Sequence, residues 1–408
     1  MRRIEEIGER IRGGDAVVLT AADLKKRIRE GERLTPGDVD VVTCGTCGVM
    51  SGTAAILSLP VTEPGVFSRA ESVRLNGVPA FPGPCPNERL GLVDLIVYGT
   101  AQAGPRYGGG HLFADLAAGK AIEVEVAAGG REYARTVTID ECNAARLFTT
   151  RSAFKNYTAY VNREHSVVRT IFSTGGLLGP CREASVSGCG EINPIENDPA
   201  LRFIRPGSRV LVNGAPGFVM GEGTRSSKER PNIMAFAEIR EMDSRYCGGF
   251  VTSAGPECIT AIATAIPVLD RAALDALSVL DEGIPLPVAD INDRRPFALA
   301  DYGQVWQGTD RHVTYDIAAC AFCEHCAAGA VCPTGAFMTG KGIDPGLCVS
   351  CGACASSCTG GAVQADLGAI ALDGVRVPIT LRQSDRNRAE TLCADLRERI
   401  LDHRFPIP

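Results

Sequence analysis

The chain has 408 residues, 45% of them hydrophobic and 22% charged, with a formal net charge of −6. It is long enough for two or three domains of ordinary globular composition, and with no basic stripe it excludes a nucleic-acid partner, whose phosphates would need one. Its longest apolar stretch, Cys258 to Leu269, is too short to cross a bilayer, so no membrane partner is expected.

The first residues, MRRIEEIGERIRGGD, read as an amphipathic helix with Ile4, Ile7 and Ile11 on one face, not as a signal peptide. Asp15 to Thr20 is a short β run, and Ala21 to Gly31 is helical and closed by glycine. Asp38 to Thr46 reads as a buried strand running into a Gly-rich turn, CGTCG (Cys44 to Gly48). The next residues, VMSGTAAIL, read as a helix start. Leu92 to Thr100 is a further strand, and YGGGHLFADLAAGK is a Gly-rich turn into a short helix over Leu112 to Ala118. Ala121 to Ala128 and Ser208 to Thr224 add strands. Strands alternating with short helices predict an α/β domain with a mixed sheet over residues 1–305.

Three features of this region point to chemistry. Thiols at a helix N-terminus have lowered pKa values, which makes Cys44 and Cys47 candidate nucleophiles or persulfide carriers; the alternative is two small residues buried in a turn. Gly108, Gly109 and Gly110 lie where open α/β sheets bind ligands and could present bare N–H groups to a carboxylate or phosphate; the alternative is a tight turn. His111 is the candidate general acid–base, against a capping role. Cys181 and Cys189 sit in a similar Gly-rich loop, and Cys85 lies between prolines. Cys142, Cys247, Cys258 and Cys393 read as structural.

Eight of the 17 cysteines lie between 320 and 358. Without an export signal, such cysteine usage indicates a reducing cytoplasm and metal chemistry rather than disulfides. The runs CxxCxxCxxxxxCP and CxxCxxCxxxC follow the two-cluster pattern in which the fourth cysteine of each run ligates the other cluster. Cys320, Cys323, Cys326 and Cys358 would then hold one [4Fe–4S] cluster, and Cys348, Cys351, Cys354 and Cys332 the other. A pair of zinc sites is the alternative, though zinc rarely uses a third cysteine at such short spacing. The first run has five residues before its last cysteine where the bacterial pattern has three, and the second ends in CTG where proline is usual. His325 reads as a solvent-facing loop residue. Residues 315–365 resemble a bacterial-type two-cluster ferredoxin domain.

Residues 301–314, with Trp306, read as a packed join. In the tail, 366–408, Ala369 to Gln383 reads as a β-hairpin around Asp373-Gly374. A helix follows, with Ser384 as its N-cap and Leu392, Leu396 and Ile400 on one face, to be packed on the main domain or a partner.

The stretches GDAVVLTAADL, DVDVVTCGTCGVMSG, VRLNGVPAF, YGGGHLFADLAAGK, NYTAYVN, INPIENDPALR, GEGT and IPVLD together resemble the sulfur-incorporation domain of homocysteine biosynthesis enzymes over residues 1 to 300. Joined to a two-cluster ferredoxin segment, the whole resembles the methanogenesis marker protein 16 family of metalloproteins. The resemblance implies sulfur placed on the aldehyde carbon of aspartate semialdehyde, followed by reduction, with two catalytic cysteines. Those positions are Ser51 and Glu132 here, so that cysteine pair does not transfer. What the resemblance leaves is a pocket for a small-molecule substrate with the YGGGH turn and Ser51, and Cys44 and Cys47 as replacement sulfur carriers. The expectation is sulfur transfer or reductive thiolation of a small acid or a methanogenic cofactor precursor, with an electron donor or redox partner protein. The alternatives are an electron-transfer subunit or maturation factor for a methanogenic redox enzyme, or a cluster scaffold with CGTCG as a further metal site.

Overall fold

A computed structural model describes residues 2–155 and 157–407. Among these residues the architecture is mixed α/β with few helices, built on a 14-stranded sheet and a six-stranded sheet. The large sheet begins with β1 (Val18–Thr20) beside β2 (Val41–Val49), its one parallel pair. It continues through Gly255–Pro267, Arg209–Val212, Ala215–Glu222, Asn232–Glu238 and Ala144–Phe154 to β3 (Thr53–Pro60), all antiparallel. From β3 it runs through Leu92–Tyr98 to an outer meander that ends with Ile122–Ala128 and Arg131–Val137. The outer strands alternate as a one-sided sheet requires: Ile122, Val124 and Val126 are buried, while Glu123 and Glu125 face solvent.

The expected strands at Asp38–Thr46, Leu92–Thr100, Ala121–Ala128 and Ser208–Thr224 are present, the last as a hairpin. Helices α1 (Ile4–Gly13) and α2 (Ala21–Arg29) are also present, and Thr20 caps α2 by accepting the Asp23 N–H. Ile7 and Ile11 are buried on α1. Two readings fail. VMSGTAAIL does not start a helix: Ser51 and Gly52 make a turn into β3. The sheet is mostly antiparallel, so the rule that ligands gather at parallel strand ends does not locate a site here.

The smaller sheet draws strands from distant parts of the chain: Pro296–Asp301, Pro285–Asp290, Ala159–Val161, Ala184–Val186 and the hairpin Val375–Arg382 with Ala369–Leu372. The hairpin turns at Asp373 and Gly374, both at positive φ. The C-terminal helix (Arg386–Leu401) is capped by Asp385, not Ser384, and buries Ala389, Leu392, Leu396 and Ile400 in the core of the large sheet. Trp306 is buried at the join, its indole N–H donating to the Gly188 carbonyl at 3.2 Å, with the Arg382 guanidinium over its ring at 4.3 Å. Among the described residues no helix is long and apolar enough to cross a membrane.

Candidate functional site

Cys44 and Cys47 do not lie in a turn. CGTCG is the middle of β2, between the Gly255–Pro267 strand and the C-terminal helix, and both thiols are fully buried. The glycines serve close approach, not exposure. A Cβ on Gly45 would stand 2.7 Å from the Cys393 sulfur, and one on Gly48 would stand 2.7 Å from the Gln383 carbonyl. Burial pushes Cys44 up to about 12 and Cys47 well above the ordinary thiol range. The expected activated thiols are therefore corrected to inert core side chains.

The triple glycine is likewise corrected. Gly108 N–H donates to His111 Nδ1, Gly109 N–H to the Ala101 carbonyl and Gly110 N–H to the Gly99 carbonyl, so no bare amide remains to bind an anion. Each glycine is required by crowding, since a Cβ on Gly109 would lie 2.0 Å from the Tyr98 carbonyl oxygen. They start helix α3 (Gly109–Ala117), which presents His111 to a cleft of about 430 Å³.

One wall of this cleft is α3 and its approach, with Tyr107, His111, Asp115 and Lys120; another carries Arg245 and Cys247; the third is Thr334, Asp344 and Arg388. His111 stacks on Tyr107 with ring centres 5.4 Å apart and lies flat against Gly249. Burial lowers the His111 pKa, so the ring is neutral at pH 7. Because Nδ1 accepts the Gly108 N–H at 3.2 Å, the proton sits on Nε2. The Tyr107 hydroxyl donates to Asp115 at 2.8 Å and accepts from Asn76 at 3.1 Å, and Asp115 pairs with Lys120 at 2.7 Å. Cys247, read from sequence as structural, lines this cleft, where burial pushes its thiol up to about 12.

The cleft's third wall comes from the cysteine-rich segment and the helix that follows it. Arg106 donates to the carbonyls of Ala330 and Cys332 at 3.3 and 2.9 Å, Val251 N–H to Pro333 at 2.8 Å, and Arg388 to Gly346 and Cys348 at 2.7 and 3.2 Å. Within the segment each CxxCxxC run leads into a short helix, Ala327–Val331 and Ala353–Ser357, and the two helices share a small core with Phe337 and Val363. Two cavities separate the eight thiols. One is lined by Cys320, Cys323, Cys326 and Cys358 with Tyr315 and His325; the other by Cys332, Cys348, Cys351 and Cys354. Thr334 lines both the second cavity and the His111 cleft. Among the described residues no three His, Cys, Asp or Glu side chains converge on one ion.

A comparison with protein families matches residues 16–407 to homocysteine biosynthesis enzymes, sulfur-incorporation. The chain belongs to that family. The match extends past residue 300 through the cysteine runs and the C-terminal helix. An uncharacterized protein of Methanothermobacter thermautotrophicus is 47% identical over 98% of this chain and 93% of its own length. Another, of Methanocaldococcus jannaschii, is 40% identical over 96% of this chain and 98% of its own. The L-aspartate semialdehyde sulfurtransferase of M. jannaschii is 30% identical over 71% of this chain, which covers 58% of that enzyme. No solved structure matches.

Two positions singled out by the family resemblance stand apart from the His111 cleft lining. Ser51 is exposed in the turn before β3, and Glu132 is exposed on the Arg131–Val137 strand at the edge of the large sheet. Ser51 lies close to Glu257, a carboxyl 6% exposed whose pKa burial raises and whose Oε2 has no partner. Sequence reasoning passed over Glu257 because it lies in a long apolar strand with no motif around it. It also passed over Arg245 and Arg388, which reach the cleft only through tertiary packing.

Proposed function

We propose that this member of the sulfur-incorporation family is an iron–sulfur protein that carries out sulfur transfer or reductive thiolation of a small acid, or of a methanogenic cofactor precursor, in the His111 cleft. The observation that carries the reading is the four-and-four division of the thiols: each cavity is lined by the set that crossed ligation requires, three cysteines of one run and the last of the other. A tetrahedral zinc at about 2.3 Å per sulfur would draw its thiolates tightly together. Zinc rarely takes a third cysteine at such short spacing, whereas crossed ligation of two cubane clusters uses three thiols of one run and the last of the other, so Cys320, Cys323, Cys326 and Cys358 would hold one [4Fe–4S] cluster and Cys348, Cys351, Cys354 and Cys332 the other. Bound there, the clusters supply single electrons. The inner one would sit next to the cleft, across Thr334.

The substrate class follows from the likeness to L-aspartate semialdehyde sulfurtransferases and from the cleft's cations, Lys120, Arg245 and Arg388. These orient a carboxylate, and the neutral His111 donates its Nε2–H to a carbonyl oxygen, which makes the carbonyl carbon electrophilic. Cys44 and Cys47 are sealed in the core, and Cys247, the thiol outside the eight that lines the cleft, is itself 3% exposed with its thiol pushed up to about 12, so none of the three is an activated sulfur carrier. A second reading, an electron-transfer subunit or maturation factor, is favoured by one feature: Ile317 and Phe322 are 52% and 59% exposed beside the outer cavity, where a redox partner protein would dock.

The test is anaerobic purification of wild type and a Cys44→Ser/Cys47→Ser variant, with iron and acid-labile sulfide measured per chain. Roughly eight irons are expected in both, at four per cluster. Zinc in place of iron would sink the cluster reading, and iron lost from the variant would make CGTCG a metal site after all.

A further inference from the structure

The large sheet has two kinds of open face. Its outer meander turns charges to water, Glu123 and Glu125 on one strand and Arg131, Glu132 and Arg135 on the next. Its central strands do not. Strand register sets Phe218, Phe236, Phe148, Ala54 and Tyr98 side by side in one row across five strands, from Ala215–Glu222 to Leu92–Tyr98. A second row beside it runs through Arg146, Ile56, Ile96 and Phe81. The opposite faces of these strands belong to the core, with Leu147, Leu57 and Leu95 fully buried. The rows themselves are open: Ile56, Phe81, Tyr98, Phe218 and the neighbouring Met220 are 38–58% exposed. Rings meet at both ends, Phe218 with Phe236 at 6.0 Å and Phe81 with Tyr98 at 5.4 Å between centres. None of these side chains lines the His111 cleft or either thiol cavity.

Size, shape and charge together choose the occupant. The five exposed side chains leave about 450 Å² bare, at roughly 200 Å² for a whole large side chain, and the half-buried Phe148, Phe236 and Ile96 add to it. A contiguous apolar face of that size is uncommon on a protein that stays alone. A stable homodimer takes about 800 Å² from each copy, about 65% of it apolar, so the face supplies the apolar core of one such interface. It is the broad face of a sheet, which fits a second sheet face laid against it, whereas a helix needs a groove. Its rim carries both signs on the same strands: Arg209 lies over Phe218 at 5.5 Å, and Glu238 is held between Arg146 and Arg240. A two-fold axis can set such a rim against its own complement, while a strongly acidic or basic partner would meet like charges as well as opposite ones. We infer that two copies of this chain pack through this face as an isologous dimer. The cleft and the thiol cavities contribute nothing to it, so the inference stands apart from the function proposed above.

The test is sedimentation equilibrium of the anaerobically purified full chain. Wild type is expected at twice the chain's 43.0 kDa. A Tyr98→Glu/Phe218→Glu variant, which puts charge in the middle of the face, should halve that mass with its far-UV circular dichroism unchanged. Glu125→Lys, on the charged meander, should leave the dimer intact. A second readout needs no variant. Met220 and Met338 are 49% and 46% exposed in one copy, so hydroxyl-radical labelling of wild type should mark Met338 and spare Met220. A monomeric wild type overturns the inference, whether its face is bare or covered by a different protein. So does a dimer that survives the double variant, or labelling that marks the two methionines alike.

Discussion

His111 illustrates how burial and one backbone amide decide what a side chain can do. Its Nδ1 is occupied by Gly108 N–H and its ring is packed between Tyr107 and Gly249, so the charged form is disfavoured. The order of influences is burial lowering the pKa, Asp115 raising it, and Arg106 lowering it again. NMR of the imidazole should therefore show titration below the ordinary value of about 6.5. The sign for stability follows: as pH falls the unfolded chain takes the proton first, so the His111 contribution is present above about pH 6.5 and is lost as pH falls towards the folded value. Titration at or above 6.5 would refute the burial that disfavours the charged ring. Tyr107 behaves in the same way, burial and the Asp115 carboxylate keeping it a protonated phenol.

Helix α2, the Gly190–Ile192 turn and the first turn of the C-terminal helix meet at a buried charge network. Arg386 donates to Glu191 at 2.8 Å and to Asp281 at 2.6 Å, and Arg29 holds Glu191 from the other side at 2.6 Å. Burial alone would raise the Glu191 pKa, but the Arg29 hydrogen bond and the Arg386 charge outweigh it and hold it near 2. A depressed carboxylate adds stability above its unfolded pKa of about 4.3, and that stability is lost as pH falls through the folded value. Replacing Glu191 with Gln breaks the network and leaves buried guanidinium groups under-paired, which should cost about 3–5 kcal/mol at pH 7. In urea melts the wild-type and variant stabilities should converge as pH drops from about 4 towards 2. A constant gap across that range would mean that the pair is not the source of the acid sensitivity.

The chain is tied into one body by its last residues. The C-terminal helix covers β2, and its neighbouring hairpin completes the smaller sheet by pairing in parallel with Ala184–Val186. Arg382 spans the join, donating to the carbonyls of Val305, Asp310 and Leu367, while its N–H meets the Cys351 carbonyl. The cysteine-rich segment is thus held from both ends. Leu392→Ala, which empties a fully buried site on the helix, should cost about 2–5 kcal/mol. It should also shift the Trp306 fluorescence transition together with the loss of the iron–thiolate absorbance that the proposed clusters would give. Two separated transitions would show that the cysteine-rich segment unfolds independently of the rest.

Residue patterns along the chain were enough to locate most strands, α1, α2, the hairpin at Asp373-Gly374 and the C-terminal helix. These are local matters: periodicity and turn chemistry are written within a few residues of each other. The environments of Cys44, Cys47 and Gly108 to Gly110 were misread for one reason. Glycine marks either a free backbone or a place where another chain segment presses close, and the segments that press here, Gln383 to Cys393 and Tyr98 to Ala101, are identified only once the chain is folded. The cleft was decided the same way. Its walls come from residues 107–120, 244–249, 334–347 and 388, and which charges and which thiol face His111 depends on long-range packing that no local pattern encodes.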